Sequence, residues 1–316
     1  MLRPCGAAPE RREAAPAVLE SPAMTTRKNS EARAAGNGLQ LAAEIERNVL
    51  AALAEDIGGA DLTALLTPYG RAARGTVVSR EEAVLCGSAW FDACLRRLDP
   101  QAAIRWQFRD GDNIGRGAVL CQIEAETRAL LSAERTALNF LQLLSGTATA
   151  TRRYVEAIAG TAARIVDTRK TLPGLRLAQK YAVRCGGGTN HRLGLYDGIL
   201  IKENHIIAAG GIRPALEQAQ AIARGNVFVQ IEVETLDQVA EAIEAGARMI
   251  LLDNMDLEQM AHAVQIAGGR AELEASGGVT LETVRSIAET GVQRISVGSL
   301  TKDLRAIDLS LRHVES

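Results

Sequence analysis

Hydrophobic residues recur in short continuous runs through the C-terminal half of the chain. Six such runs occur in the segments ARIVDT, DGILIKE, VFVQIEV, ARMILLDN, AELEAS and VQRISVGS. Between the later runs the hydrophobic residues have helical spacing, as in LDQVAEAIEAGA. Continuous apolar strands that alternate with helices are typical of a parallel sheet covered on both faces. Six strands in so short a stretch favour an α/β barrel, with a doubly wound sheet as the alternative.

Helix-capping residues punctuate the same region. Side chains suited to N-caps are Thr235, Asp256 and Thr280, and glycines suited to helix C-termini are Gly246, Gly268 and Gly291. Gln238 stands three residues after Thr235 and completes a capping box. The spacing therefore predicts helices that begin and end between the apolar runs.

The N-terminal half has a different pattern. Helical spacing over residues 39–53 is followed by short β-type runs and one helix within residues 74–125. A further amphipathic helix is predicted over residues 128–144, stopped by Ser145 and Gly146, with a second helix over 148–159. We expect a small α/β domain over residues 38–146 and a barrel domain over 147–301.

Residues 1–37 lack periodicity and are rich in Ala, Arg, Glu and Pro. We expect a disordered extension there, neither a secretory signal nor a transit peptide, and Met24 is a second candidate start. The net charge of −2 gives no indication of nucleic-acid or membrane binding. Five cysteines without metal-ligand spacing suit reduced thiols, so we expect a cytoplasmic protein.

Polar residues follow each of the six apolar runs. They form the groups Asp167–Lys170, Lys202–His205, Glu232 with Glu234, Asp253–Asn254, Ser276–Gly278 and Gly298–Ser299. The carboxyl ends of parallel strands meet at one edge, where ligands bind. The sequence therefore predicts a site at this edge.

The residue types indicate an anionic ligand. Arg169, Lys170, Arg192 and Lys202 supply positive charge, with His191 beside them. Backbone N–H groups of the two glycine loops suit phosphate, and Glu232 and Asp253 suit sugar hydroxyls or Mg²⁺. A phosphosugar together with a second anionic substrate fits this inventory.

Each group also has a simpler interpretation. Arg169 and Lys170 could form structural ion pairs with Glu232 and Glu234. Lys202 at a strand end could be the Schiff-base nucleophile of an aldolase-type barrel.

Several longer motifs resemble those of one family. They are EDIGGADLT (55–63), ERTALNFLQLLSGTATAT (134–151), DTRKTLPGLR (167–176), QKYAVRCGGGTNHRLGLYDGILIKENH (179–205), LLDN (251–254) and EASGGV (274–279). These segments resemble the quinolinate phosphoribosyltransferases, from about residue 39 to the end. The departures are Ala60, where glycine is usual, and Thr147, where an aliphatic residue is common.

The resemblance implies a type II phosphoribosyltransferase: an N-terminal α/β sandwich packed on an incomplete, roughly seven-stranded α/β barrel, acting as a homodimer. Residues 302–316 would pack on the sandwich. The implied reaction joins quinolinate to phosphoribosyl pyrophosphate, with Mg²⁺, and gives nicotinate mononucleotide, pyrophosphate and CO₂ in de novo NAD biosynthesis.

The resemblance also implies roles for individual residues. The catalytic set would be Lys170, Lys202, Glu232 and Asp253, the last two also facing Mg²⁺ directly or through water. The substrate-binding set would add Thr168, Arg169, His191, Arg192, Ser276, Gly277, Gly278, Val297, Gly298 and Ser299. Arg135 would enter the site from the neighbouring subunit.

Two alternatives keep the same scaffold. One is an enzyme that uses nicotinate, which has no second carboxylate for the cations at Arg169, Arg192 and Lys202 to bind. The other is a protein without catalytic activity that binds pyridine nucleotides and regulates a partner. The presence of Lys170, Glu232 and Asp253 argues against this alternative.

Overall fold

The computed structural model describes residues 22–225 and 227–314. Its contacts divide the described residues into two units, with the boundary between Ala42 and Ala43. The first helix, α1 (Pro22–Ile57), starts well before the predicted residue 39 and includes residues 22–37. The remaining part of the predicted extension, residues 1–21, lies outside the described residues.

The elements that follow α1 in the N-terminal half form a small antiparallel sheet with helices. They are a 3₁₀ turn (Ala64–Leu66), β1 (Ala72–Ser79), β2 (Ala83–Val84), α2 (Ser88–Leu98), β3 (Ala103–Trp106), β4 (Asn113–Ile114), β5 (Val119–Glu126) and α3 (Thr127–Ala157). Strand β1 pairs with β5, which pairs with β3, while β2 pairs with β4. The last strand of the chain, β12 (Leu309–Val314), pairs with the free edge of β1. Residues near the C-terminus thus lie on the sheet of the N-terminal half.

Helix α3 is continuous, so the predicted break at Ser145 and Gly146 is wrong. The Ser145 hydroxyl accepts a hydrogen bond from the Cys86 N–H at 2.9 Å and donates to the Cys86 carbonyl at 3.1 Å. A Cβ at Gly146 would overlap the carbonyl oxygen of Arg305. These two residues are small because other segments pack closely on the helix there. Buried Thr147 satisfies its hydroxyl within the helix, on the Leu143 carbonyl.

The C-terminal half contains the predicted alternation of strands and helices. Its elements are β6 (Arg164–Val166), α4 (Arg176–Cys185), β7 (Gly198–Ile201), α5 (Glu203–Ala209), α6 (Ile212–Ile222), β8 (Phe228–Val233), α7 (Leu236–Glu244), β9 (Met249–Asp253), α8 (Leu257–Ala267), β10 (Glu272–Ser276), α9 (Val284–Glu289), β11 (Arg294–Ser296) and α10 (Ser299–Lys302). All six predicted strands are confirmed.

The order of the parallel strands supports a barrel and not a doubly wound sheet. The order is β6-β11-β10-β9-β8-β7, so the last strand of the series pairs with the first. Thr189 forms a parallel bridge with Val166 on the other side of β6. The ladder is therefore six strands and one bridge, and among the described residues it is open between Thr189 and β7. The predicted incomplete barrel is confirmed, with the bridge at the place of a seventh strand.

Two of the three predicted N-caps are confirmed. The side chains of Thr235 and Asp256 accept hydrogen bonds from the N–H groups of Gln238 and Gln259. Thr280 is not an N-cap, because α9 begins only at Val284. The residues between β10 and α9 form a loop at the carboxyl edge, which delays the helix. Among the described residues, no helix combines the length and hydrophobicity that crossing a membrane requires.

Candidate active site

A cavity of about 770 Å³ lies at the carboxyl ends of the parallel strands. Thirteen of the fifteen predicted site residues line it: Thr168, Arg169, Lys170, His191, Arg192, Lys202, Glu232, Asp253, Ser276, Gly277, Gly278, Gly298 and Ser299. These residues come from the ends of all six strands and from the segment that follows the Thr189 bridge. The structure therefore brings the separate motifs together.

Two predicted residues do not line this cavity. Arg135 is exposed on the surface of α3, outside the cavity of its own chain. Val297 is 1% exposed and packs in the barrel core. Its backbone N–H donates to the Val166 carbonyl at 2.9 Å, so it joins β11 to β6 instead of facing the cavity.

Two arginines meet at one side of the cavity. The Arg169 Nε is buried and has no hydrogen-bond partner among the described residues. Burial, and next the positive charge of Arg169, lower the pKa of Arg192 from its ordinary value. A buried guanidinium N–H without a partner is costly, and two adjacent cations repel one another. An anion placed between these side chains would relieve both costs.

Lys202 and Glu232, which both line the cavity, form an ion pair. The Lys202 Nζ donates to Glu232 Oε2 at 2.6 Å. The alternative pairing, in which Arg169 or Lys170 binds Glu232 or Glu234, is not found among the described residues. The Lys202 side chain is 49% exposed and its amine is ion-paired, so the structure gives it no apolar pocket of the kind that activates a Schiff-base lysine.

The two glycine loops approach the cavity through their backbones. Gly277 has φ +103°, and a Cβ there would overlap the side-chain amide of Asn254. A Cβ at Gly298 would lie 3.3 Å from the Lys170 side chain. The Ser299 hydroxyl lies 3.5 Å from the Tyr154 hydroxyl. Because these loops carry little side chain, their backbones can approach a phosphate group beside Lys170.

The floor of the cavity is polar. A chain of hydrogen bonds links seven residues, through their side chains and the backbone N–H of His191, which we call the interior network: Asp167, Lys180, His191, Gln230, Glu274, Arg294 and Ser296. All seven residues are at most 9% exposed. Since buried charges require partners, the network is stable only when every member is satisfied.

Several site residues were missed from the sequence. Tyr154, Thr280, Lys302 and Asp303 also line the cavity, and so does Asn254 of the predicted strand-end groups. Apart from Asp167 and His191, the interior network was missed as well, although a signal for it exists. Polar residues alternate along the strands in FVQIEV, ELEAS and RIS, which places them on the same face of each strand. That period of two marks the face that points into the barrel.

A separate group lies between the N-terminal half and α4. One carboxylate oxygen of Asp110 and the sulfur atoms of Cys86 and Cys185 lie within 4.8 Å of one another. Cysteine spacing gave no indication of this group. The carboxylate already accepts hydrogen bonds from the N–H groups of Gly87 and Ser88, and from the Tyr181 hydroxyl at 2.9 Å. Asp110 therefore anchors the start of α2.

Comparisons with known proteins identify the family. The profile of the quinolinate phosphoribosyl transferase C-terminal domain matches residues 147–312, and that of the N-terminal domain matches residues 61–145. The chain belongs to the quinolinate phosphoribosyl transferase family. Both matched domains contribute to the family resemblance seen in the sequence motifs.

Individual relatives of the quinolinate phosphoribosyl transferase family agree with this assignment. A probable nicotinate-nucleotide pyrophosphorylase (carboxylating) of Bacillus subtilis is 41% identical over 257 residues, which are 81% of this chain and 89% of the relative. The chloroplastic enzyme of Arabidopsis thaliana with the same activity name is 39% identical over 281 residues, 83% of this chain and 80% of the relative. The solved structure of the nicotinate-nucleotide pyrophosphorylase from Francisella tularensis superimposes with a TM-score of 0.83 at 45% identity, covering 86% of this chain and 96% of that one.

Proposed function

We propose that this protein transfers the phosphoribosyl group of phosphoribosyl pyrophosphate to quinolinate, with loss of CO₂, to give nicotinate mononucleotide and pyrophosphate. Membership of the family supports the reaction. The observation that carries the substrate assignment is the pair Arg169 and Arg192, two neighbouring cations that line the cavity, the first with a buried Nε–H that has no partner among the described residues.

The two carboxylates of quinolinate suit these arginines. A guanidinium binds a carboxylate through two parallel N–H groups, which fixes the plane of the ligand as well as its charge. Arg192 donates one N–H, from Nη1, to the Gly198 carbonyl at 3.0 Å, which leaves its other donors for the ligand. Nicotinate has only one carboxylate and would leave part of this positive charge uncompensated.

The part of the cavity around Lys170 and the glycine loops suits the phosphates. Lys170 stands beside Gly298 and Ser299, and its own carbonyl accepts from the Thr301 hydroxyl at 2.7 Å. The loop Ser276–Gly278 faces the same space. We assign the 5′-phosphate to the backbone N–H groups of these loops and the pyrophosphate to the lysine.

The acidic residues suit Mg²⁺ by their donor chemistry. Magnesium takes oxygen ligands, and it is usually held by one or two carboxylates together with substrate phosphates. Asp253 is half-buried in the cavity and accepts from the Asn254 amide at 3.0 Å, which leaves carboxylate lone pairs free. Glu232 is held by Lys202, so Asp253 is the better donor. When bound, Mg²⁺ would offset negative charge on the pyrophosphate.

The residues of the chain then act by position and charge. The pyridine nitrogen attacks C1′ of the ribose as the bond to pyrophosphate breaks, and positive charge develops on the sugar. The carboxylates of Glu232 and Asp253 stabilise that charge, and Lys170 and Lys202 stabilise the leaving group. The carboxylate at C2 next leaves as CO₂, its bonding electrons are accepted by the quaternised ring, and C2 takes a proton. No covalent intermediate with the enzyme is needed.

We also propose that the active form is a homodimer in which Arg135 completes the neighbouring site. Arg135 is exposed and lies outside the cavity of its own chain, as a residue donated to a partner would. Mixing Arg135→Ala with Arg192→Ala subunits tests this idea, because a mixed dimer holds one intact site. Regain of activity to about a quarter of the wild-type level is expected, and no regain would contradict sharing. A cytoplasmic location stays a prediction.

A turnover assay on the purified chain tests the reaction. Quinolinate or nicotinate is offered with phosphoribosyl pyrophosphate and Mg²⁺, and mononucleotide and CO₂ are measured together. Equal amounts of both products from quinolinate alone would support the proposal. Turnover of nicotinate alone would overturn the assignment of the arginines, and turnover of neither would overturn the reaction. The variant Arg213→Ala, at an exposed position on α6, is a matched control for charge removal.

A further inference from the structure

The hydrogen bonds of the interior network have directions that follow from the chemistry of its members. Glu274 is fully buried and accepts from Arg294 Nε at 2.6 Å and from the Ser296 hydroxyl. With a cation and a hydroxyl donating to it, Glu274 is a carboxylate, which only accepts hydrogen bonds. Whatever else contacts Glu274 must therefore be a donor.

That requirement orients the amide of Gln230. The Gln230 side chain is fully buried and lies between Glu274 and His191. Its nitrogen must face Glu274 Oε2, at 3.1 Å, since its oxygen would be repelled there. Its oxygen then faces His191 Nε2 at 2.7 Å.

The orientation of Gln230 in turn sets the imidazole of His191. An oxygen opposite Nε2 requires that Nε2 carries the proton. Burial lowers the pKa of His191, an effect opposed by the charge of Glu274 and the hydrogen bond to Gln230 and reinforced by Arg294 and Lys180, so the ring is neutral and Nδ1 is bare. The Nδ1 atom accepts the backbone N–H of Arg192 at 2.7 Å.

We infer that Gln230 is a positioning residue: with Glu274 it holds His191 in the Nε2–H form, and His191 holds the backbone of Arg192 at the carboxylate side of the cavity. Arg192 is thereby fixed at two points, its N–H on His191 and its guanidinium on the Gly198 carbonyl. The Phe228 ring packs edge-on against the imidazole with centroids 5.4 Å apart. Both ring nitrogens of His191 have protein partners, so its role is to position Arg192 and not to donate to the substrate. The link to catalysis rests on the proposed function, whereas the imidazole form does not.

The first test measures the imidazole directly in the free protein. The chain has four histidines, so ¹⁵N-histidine NMR resolves their rings, and the variant His191→Asn assigns the signal. We expect one neutral form protonated at Nε2, and the ring stays neutral as the pH falls through the ordinary value of 6.5. A ring protonated at Nδ1, or a charged ring at neutral pH, would overturn the inference whether or not the protein turns over quinolinate.

Two replacements of Gln230 separate positioning from packing. Gln230→Met keeps the length but offers Nε2–H no acceptor, so the NMR signal should change to a mixture of the two neutral forms. Gln230→Glu places a second carboxyl group against Glu274, and the added negative charge favours uptake of a proton; on the imidazole this proton sits on Nδ1, where it would oppose the Arg192 N–H. The control Gln293→Met removes another hydrogen-bonded glutamine of the barrel, at the start of β11 and away from the cavity.

The kinetic measurement compares the change in KM for quinolinate with the change in KM for phosphoribosyl pyrophosphate. We expect the KM for quinolinate to rise about tenfold in both variants at Gln230, since one charged contact is misplaced, while the KM for phosphoribosyl pyrophosphate changes less than about twofold. The control should change neither. Equal rises in both KM values, or an unchanged NMR signal in Gln230→Met, would make Gln230 a merely structural residue and overturn the inference.

Discussion

The two halves of the molecule differ in the side chains that they bury: the N-terminal half has an apolar core, and the barrel has a polar interior. In the N-terminal half, the buried residues include Trp90, Phe91, Leu120, Ile123 and Leu141, each at most 1% exposed, which we call the N-terminal core. The inside of the barrel contains the interior network instead, although the outer faces of the same strands are apolar. Hydrophobic packing is nondirectional and tolerates small shifts, whereas hydrogen bonds to charged groups fix orientation.

This difference indicates a division of roles. The N-terminal core stabilises the fold through buried area. The interior network costs desolvation, and its charges contribute little net stability when paired, but it determines where Arg192 stands. Substitutions in the two regions should therefore separate stability from substrate binding.

The largest loss of stability is expected at Lys180. Its Nζ forms an ion pair with Asp167 and donates to the His191 carbonyl at 3.1 Å, at 1% exposure. Lys180→Met leaves the Asp167 charge buried without its cation, at a cost of about 3–5 kcal/mol. Urea unfolding measures the change, with exposed Lys302→Met as the control. A loss no larger than that of the control would mean that Asp167 is neutral.

The largest effect on binding is expected at Arg192. Arg192→Ala removes one partner of the quinolinate carboxylates, which is worth about 2–5 kcal/mol, so the KM for quinolinate should rise more than tenfold. The KM for phosphoribosyl pyrophosphate should change much less. Steady-state kinetics with each substrate varied in turn gives both values, and small, equal changes would argue against the carboxylate assignment.

The N-terminal core should show the reverse behaviour. Leu141→Ala on α3 leaves a cavity among apolar side chains and should cost about 2–5 kcal/mol in the free energy of unfolding. Below the unfolding transition, both KM values should match the wild type. A selective change in the KM for quinolinate would show that the two regions are coupled.

A smaller loss of stability is expected at the glycine within α3. Gly146→Ala forces the Arg305 carbonyl away from the helix, and overpacking of this kind costs about 1–3 kcal/mol. The matched control is Gly59→Ala, where a Cβ meets nothing within 4 Å. Thermal unfolding of both variants compares them, and equal midpoints would show that the chain around Arg305 yields without cost.

The smallest effect is expected at a surface pair. Hydrogen bonds from Arg305 and from the Asp308 N–H lower the pKa of Glu81 below its ordinary value of 4.5. A lowered pKa means that the stabilisation is present above 4.5 and is lost as the pH falls through the folded value. Glu81→Gln should cost about 1 kcal/mol or less near neutral pH and nothing in acid. The free energy of unfolding, measured near neutral pH and in acid, checks this. A loss of stability that is the same at both pH values would contradict it.

Much of the site could be predicted from the sequence because parallel strands place their carboxyl ends at one edge. The six strands and thirteen of the site residues were predicted from strand ends and motifs together. Val297 does not line the cavity, because its side chain is buried in the hydrophobic core, and only the tertiary structure decides which residues at the end of a strand face the site. The break in α3 was mispredicted because a glycine that is required for close packing, such as Gly146, cannot be distinguished in the sequence from a glycine that ends a helix.

Sequence alone determined the alternation of strands and helices, the chemistry of the strand ends and the family, since these depend on local periodicity and on residue type. Tertiary structure decided which charges are paired. It joined Lys202 to Glu232, left Arg169 with an unpartnered N–H, and connected Gln230 to Glu274 across the barrel. Such pairings depend on distances between segments far apart in the chain, and no spacing within the sequence encodes those distances.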